Sequence, residues 1–307
     1  MTGFDILGLG NIALDDVIHV DRYPKPDTKT RIIRRERRFG GLTGTALATA
    51  ARLGAKCAYA GRLGTDPSSQ AVMQALASVG VETTYAIVSE RFAVTESTII
   101  LSPTTRNVFS SADGPTGADD HWPNPTLIRQ SKVLLVDHHG LPGGIRAASI
   151  ARAADVHVVG DFERQDSLLL FSLIPLVNHL ILSESFALAI TGASTILQSI
   201  ERLSEDCCGN IVITSGSSGC WFSGFNQSSP RFFPAVRVSA SDTLGCGDVF
   251  HGAYAFGLCQ GKTPIECVQF ANEVAAVRAR RGGNWNALPT LSEVTARQFG
   301  ATPYPRA

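Results

Sequence analysis

The sequence predicts an α/β fold: a three-layer α/β/α sandwich with a mainly parallel central sheet, plus a small β-lid. Three observations predict it. Short apolar runs recur at residues 4–9, 57–60, 133–136, 156–159, 179–182 and 211–214. Helical patterns at 44–53, 68–79, 144–153, 186–191 and 195–203 fall between them. Short, mainly apolar strands are buried on both faces, and their alternation with helices indicates βαβ units with right-handed crossovers. Third, two stretches at about 16–39 and 93–110 carry period-two patterns, as in Thr98-Ile99-Ile100-Leu101. They surround the turn-like Pro24-Lys25-Pro26-Asp27 and Ser102-Pro103-Thr104-Thr105, so each reads as a hairpin leaving the main sheet, and the two can pair into a lid.

Size and composition narrow the function. A chain of 307 residues with 44% hydrophobic and 18% charged residues suits one large α/β unit over 1–307. Its 27 basic and 27 acidic residues cancel, which gives no reason to expect a nucleic acid or a membrane surface as partner. Seven scattered cysteines without a CxxC pair point to free thiols in a reducing compartment. The acidic, Gly-rich start is unlike a signal peptide, and no run of about 18 apolar residues occurs. A cytoplasmic protein is expected.

The segment Asp242-Thr243-Leu244-Gly245-Cys246-Gly247-Asp248 carries the most chemistry. It is a Gly-rich turn feeding a helix over 249–258. Glycines allow successive N–H groups to point outward, and the helix dipole adds positive potential, making a cradle for an anion. Asp248 in the first turn could take a proton from an attacking hydroxyl while the amides of Gly245, Cys246 and Gly247 hold a transferring group. The bland alternative is a capped turn with Asp248 stabilising the helix start. Gly40 and Gly41 precede a second helix, where bare backbone can approach a polyol or simply pack. Asp15 lies just past the first strand and can accept two hydrogen bonds from vicinal hydroxyls, whereas its neighbour Asp16 reads equally as a turn residue. The strand 211–214 ends in a Gly/Ser loop, Thr214-Ser215-Gly216-Ser217-Ser218-Gly219.

Asp242-Thr243-Leu244-Gly245-Cys246-Gly247-Asp248 resembles the D-T-x-G-A-G-D signature of the ribokinase-like (PfkB) carbohydrate kinases, with Cys246 at the usual Ala. Gly40-Gly41 with the Ala-rich helix after it, and Gly61-Arg62-Leu63-Gly64-Thr65-Asp66, resemble two further motifs of that family. The resemblance implies a ribokinase-like fold, ATP as phosphoryl donor with Mg²⁺, Asp248 as base, and a sugar held by Asp15, Gly40, Gly41 and Thr45. It implies nucleotide contacts at Thr214, Gly216, Gly219, Asn272 and Ser183, and a homodimer formed through the lid. It also implies a monovalent cation, K⁺, on the segments at Asp242, Leu244, Arg278, Arg281 and Gly283.

Departures from the pattern bear on substrate and metal. Leu42, Thr45 and Ala13 stand where ribokinases carry Lys, Asn and Asn, which argues against ribose. The N-x-x-E metal motif reads Ser183-Glu184-Ser185-Phe186, so Glu184 or Asp161 is expected to supply the carboxylate for Mg²⁺. The pattern is most similar to the sulfofructose-kinase-like branch. His138 and His139, mostly neutral near pH 7, suit a neutral sugar better than a sulfonate, or form an ordinary strand end. Arg31, Arg34, Arg35, Arg37 and Arg38 read as a solvated hairpin face, only alternate members of which can point toward a site. Two rivals stay open: a nucleoside kinase, for which Phe92 and Phe109 could stack a base, and a non-catalytic sugar-binding regulator. Cys246 is expected to react moderately with thiol reagents, with ATP protecting it.

Overall fold

The computed structural model describes residues 3–165, 167–225 and 229–298, so the unit expected over 1–307 runs past them at both ends. In chain order the strands are Phe4–Gly8 (β1), Ala13–His19 (β2), Arg34–Gly40 (β3), Cys57–Tyr59 (β4), Arg62–Leu63 (β5), Val81–Glu82 (β6), Ile87–Val88 (β7) and Thr95–Leu101 (β8). They continue with Arg106–Ser111 (β9), Ser131–Asp137 (β10), His157–Phe162 (β11), His179–Ser183 (β12), Asn210–Thr214 (β13), Gly219–Ser223 (β14) and Arg231–Pro234 (β15). The helices are Leu42–Leu53 (α1), Pro67–Ser78 (α2), Pro125–Arg129 (α3), Leu141–Arg152 (α4), Leu170–Leu173 (α5), Glu184–Thr191 (α6), Ile196–Asp206 (α7), Cys246–Cys259 (α8), Pro264–Arg281 (α9) and Leu291–Gln298 (α10).

Nine strands form the central sheet in the order β15-β14-β13-β12-β11-β10-β1-β4-β6, all running the same way except β14, next to one edge. The apolar runs at the centres of these strands explain the layering. Ile6, Val133, Val159, Ile181 and Val212 pack into a core with α1, α2, α8 and α9. Their neighbours Leu7, Leu134, Val158, Leu180 and Ile211 feed a second core with α3 to α7 on the opposite face. One strand thus supplies both layers, because successive side chains alternate across the sheet.

The chain runs from β1 out to β4 and β6, then returns to β10 and proceeds the other way. This reversal opens a crevice at the carboxyl ends of β1 and β10, where open α/β sheets bind ligands. Of the two hairpins read from the sequence, the first starts slightly earlier, at Ala13, and the second slightly later, at Thr95, and they pair as β3-β2-β8-β9, a separate four-stranded sheet rising at this same end.

Helix α8 is pressed close to α1. A Cβ on Gly252 would lie 2.2 Å from the Ala46 carbonyl oxygen. Gly252→Ala must therefore push the two helices apart, and urea unfolding should show a loss of about 3 kcal/mol, the upper end for overpacking. An unchanged midpoint would mean that the helix pair yields freely.

Candidate active site

The 242–248 turn ends with Gly245 at φ 75° as the N-terminal cap of α8. That left-handed conformation favours glycine. Gly247 faces open space, since an added Cβ would meet nothing within 4 Å. The Cys246 amide donates to the Thr243 carbonyl at 3.3 Å, so this one is engaged inside the turn. The amides of Gly247 and Asp248 belong to the first helical turn, which has no intrahelical acceptor, and are left for an anion.

Asp248 stands in that turn, with Asp15 of β2 across the cleft. Gly40, Gly41, Thr45, Gly245, Arg38, Arg278 and Trp285 line the same cleft. Gly40 is needed there because a Cβ would fall 2.2 Å from Asp15 Oδ2. At Gly41 φ is 86° and a Cβ would meet the Ile12 backbone at 2.5 Å. Thr45 lines the pocket with its hydroxyl accepting from Trp285 Nε1 at 3.1 Å.

The electrostatics are unusual for aspartates. Burial pushes the Asp15 carboxyl up to about 6, against the opposing pull of the Ser97 hydroxyl and the Arg38 charge. Burial, then the negative charges of Glu163 and Asp15, hold Asp248 well above the usual carboxylate range. Asp161 at the end of β11 is raised in the same way, by burial and then by Asp248, Glu163 and Asp137. A carboxyl raised toward neutrality is suited to accept a proton at physiological pH. Asp137 is tied down instead. Its oxygens accept from the Asn11 amide at 2.6 Å, the Thr43 hydroxyl at 2.9 Å and the His139 amide at 2.8 Å, fixing the switch-point loops.

Several expectations need correction. The carboxylate that joins Asp161 is Glu163, not Glu184, which sits in the first turn of α6 behind the Ser183 cap. Asp161 Oδ2 has no hydrogen-bond partner, although His251 Nδ1 lies 3.2 Å away, and that buried oxygen fits a hard cation. Among the described residues no group of three or more His, Cys, Asp or Glu is arranged to hold a metal unaided. Several of the segments expected to hold a monovalent cation are already engaged within the protein. The Leu244 carbonyl accepts from Arg278 Nη2 at 2.7 Å, the Arg278 carbonyl from the Gly282 amide at 2.8 Å, and the Asp242 carboxylate pairs with Arg38. Arg281 turns away to Glu293 at 2.9 Å, and Gly283 only lines the cleft.

Arg38 is not a solvated lid residue. It is 4% exposed, bound between Glu36 and Asp242, while Arg35 on the other face pairs with Asp16. His139 holds the Thr116 hydroxyl at 3.0 Å, and His138 Nδ1 accepts from the Glu163 amide at 3.5 Å, so both help shape the loops around the acidic end of β11.

Cys246 is also not the expected reactive thiol. Burial pushes it up to about 11, outweighing Arg278, and its Sγ lies against the Asp242 and Ala275 carbonyls. At pH 8 roughly one thiol in a thousand is then ionised. In timed alkylation read by mass spectrometry, exposed Cys208 should react first and Cys246 far more slowly. Equal rates would contradict the burial argument.

On the donor side, Ser183 and Thr214 are register partners at the ends of β12 and β13. The loop after Thr214 turns through Gly216 at φ 54° and Gly219 at φ 126°. A Cβ on Gly219 would strike the Phe233 carbonyl at 2.1 Å. Asn272, on α9, is buried with Nδ2 3.5 Å from Cys220 Sγ, beside this loop rather than open to it. Sequence reasoning missed Arg38, Glu163, Asn284 and Trp285. The Gly282-Gly283-Asn284-Trp285 cluster was the only signal for the last two. Asn284 Oδ1 accepts from the Phe39 amide at 3.0 Å, joining β3 to the loop after α9.

The fold and the opposed glycine turns describe a phosphotransferase with an alcohol acceptor, and comparison with known proteins agrees. Residues 6–291 match the description "pfkB family carbohydrate kinase". A Haemophilus influenzae ribokinase is 26% identical over 297 residues, covering 93% of this chain and 95% of that protein. A 5-dehydro-2-deoxygluconokinase of Shouchella clausii is 23% identical, covering 95% of both. The solved Arabidopsis thaliana ribokinase with ribose and ATP superposes with a TM-score of 0.82 at 20% identity, covering 96% of this chain and 98% of that one. The chain belongs to the pfkB family of carbohydrate kinases.

Proposed function

We propose that the protein transfers the γ-phosphoryl group of ATP to a primary hydroxyl of a sugar or sugar derivative held by Asp15, Gly40 and Gly41. The observation that carries this reading is the meeting of Asp15 and Asp248 at two facing glycine turns in one cleft. Asp15 would accept hydrogen bonds from the sugar and hold its reactive oxygen near Asp248. As that oxygen bonds to the γ-phosphorus and the bond to the ADP oxygen breaks, Asp248 takes the hydroxyl proton, and the Gly247 and Asp248 amides hold the transferring oxygens. Bound Mg²⁺, carried mainly by the phosphates with Asp161 and Glu163 beside it, would supply charge neutralisation. ATP would lie along the Thr214–Gly219 turn, with Ser183 and Asn272 close by. The four-stranded sheet would close over the cleft and exclude water.

A nucleoside acceptor is disfavoured. Phe109 pairs in register with Thr98, which pairs with Asp16, so it lies on the face opposite Asp15. Phe92 is covered by the Arg62 guanidinium at 5.5 Å. The test is ADP release in the presence of Mg-ATP with ribose, neutral hexoses, keto and deoxy sugar acids, and nucleosides. Sugar-dependent ADP release is expected, with ribose a poor acceptor and nucleosides inert. No acceptor-dependent release, or preference for a nucleoside, would overturn the reading.

A further inference from the structure

Arg278, near the C-terminal end of α9, is 5% exposed and lies beneath the turn that carries Gly245 and Asp248. Its Nη2 donates to the Leu244 carbonyl at 2.7 Å, and its Nη1 lies 3.7 Å from the Asp242 carboxylate. Asp242 in turn accepts from Arg38, on the strand that bears Gly40, and its Oδ1 from the Leu244 amide at 2.9 Å. The Leu244 amide, and then the Arg38 and Arg278 charges, keep the Asp242 carboxyl below the usual range despite its burial. Asp242 and Leu244 are the oxygens that an ion stabilising this turn would need. The Arg278 guanidinium donates to the Leu244 carbonyl and lies 3.7 Å from the Asp242 carboxylate, which Arg38 binds, and an added cation would meet these two buried positive charges at close range.

We propose that Arg278 is a tethered cation filling the place where a monovalent ion would otherwise sit, so the turn is ordered and active without K⁺. Arg278 acts through the turn, as a positioning residue. It is also among the charges that lower the Asp248 carboxyl, so it favours the ionised base. Arg38 extends the same network to the lid strand, linking acceptor-side Gly40 to the donor-side turn. Permanently charged arginine suits this role because one guanidinium can donate to a carbonyl while keeping its charge beside a carboxylate.

The proposal rests on the kinase reading for its effect on turnover, but not for its test on the free protein. Thermal unfolding of the apo protein in KCl and in choline chloride at equal ionic strength should give the same midpoint. Arg278→Ala should gain a K⁺-specific rise, as expected for an ion binding only the folded state. If sugar phosphorylation is found, wild-type rates should agree within about twofold in the two salts, and the Ala variant should recover about tenfold on adding K⁺ or guanidinium. Arg278→Lys, which keeps a tethered charge, should be insensitive to K⁺. A K⁺-specific stabilisation of wild type, or a folded Arg278→Ala without any cation response, would overturn the proposal. Should the Ala variant not fold, the wild-type comparison and the Lys variant decide the matter by the same criteria.

Discussion

Asp248→Asn is expected to lower turnover by at least ~10²-fold, the lower end for loss of a general base, while nucleotide binding stays near normal. Asparagine keeps the shape of the helix start and its amides but cannot take the proton. The same substitution should raise the thermal midpoint of the free protein at pH 8. Asp248 is held well above the ordinary carboxylate range, so the folded state prefers it protonated and its ionisation is destabilising. That gain should disappear in acid, where the native carboxyl is neutral as well. Opposite changes in activity and stability would separate this residue from one that merely caps a helix, because loss of a cap lowers stability. Turnover by coupled assay and nucleotide affinity by calorimetry check it, and near-normal phosphorylation would remove Asp248 from the mechanism.

Asp15→Ala is expected to raise the acceptor KM about 10²-fold, the loss of two hydrogen bonds to a charged acceptor, and to leave the nucleotide Kd almost unchanged. Acceptor kcat/KM in the native enzyme should fall as pH drops through about 6, where the Asp15 carboxylate becomes protonated. The linkage has a definite sign. With a folded value of about 6 against an unfolded value of 3.8, stability from this group is fully present below the unfolded value and is lost as pH rises through 6. Asp15→Asn should therefore stabilise the free protein at pH 8, by about 2–3 kcal/mol, and not at pH 4. Gly40→Ala should mimic the KM effect, since its Cβ would displace Asp15 Oδ2. Equal weakening of sugar and nucleotide by Asp15→Ala would instead indicate a collapsed site.

Much of the fold could be read directly from local pattern. The apolar runs at 133–136 and 211–214 became central strands because burial on both faces demands such runs, and DTLGCGD became a helix start because Gly245 can adopt the left-handed conformation that caps α8. Gly40 and Asp15 lie on paired strands, a neighbourhood that hairpin register makes legible. The charged side chains were another matter. Arg35 and Arg38 look alike in sequence, yet one pairs with Asp16 at the surface and the other is buried against Asp242, 204 positions away. Cys246 at a helix N-terminus is expected to react moderately, and burial raises its thiol instead. Sequence by itself determined the strands, the helices and the two glycine turns, since these follow from short-range periodicity and backbone freedom. Tertiary structure alone decided that Glu163 joins Asp161 and that Arg278 occupies the Leu244 carbonyl, because desolvation and charge pairing depend on what distant segments bring to one buried place.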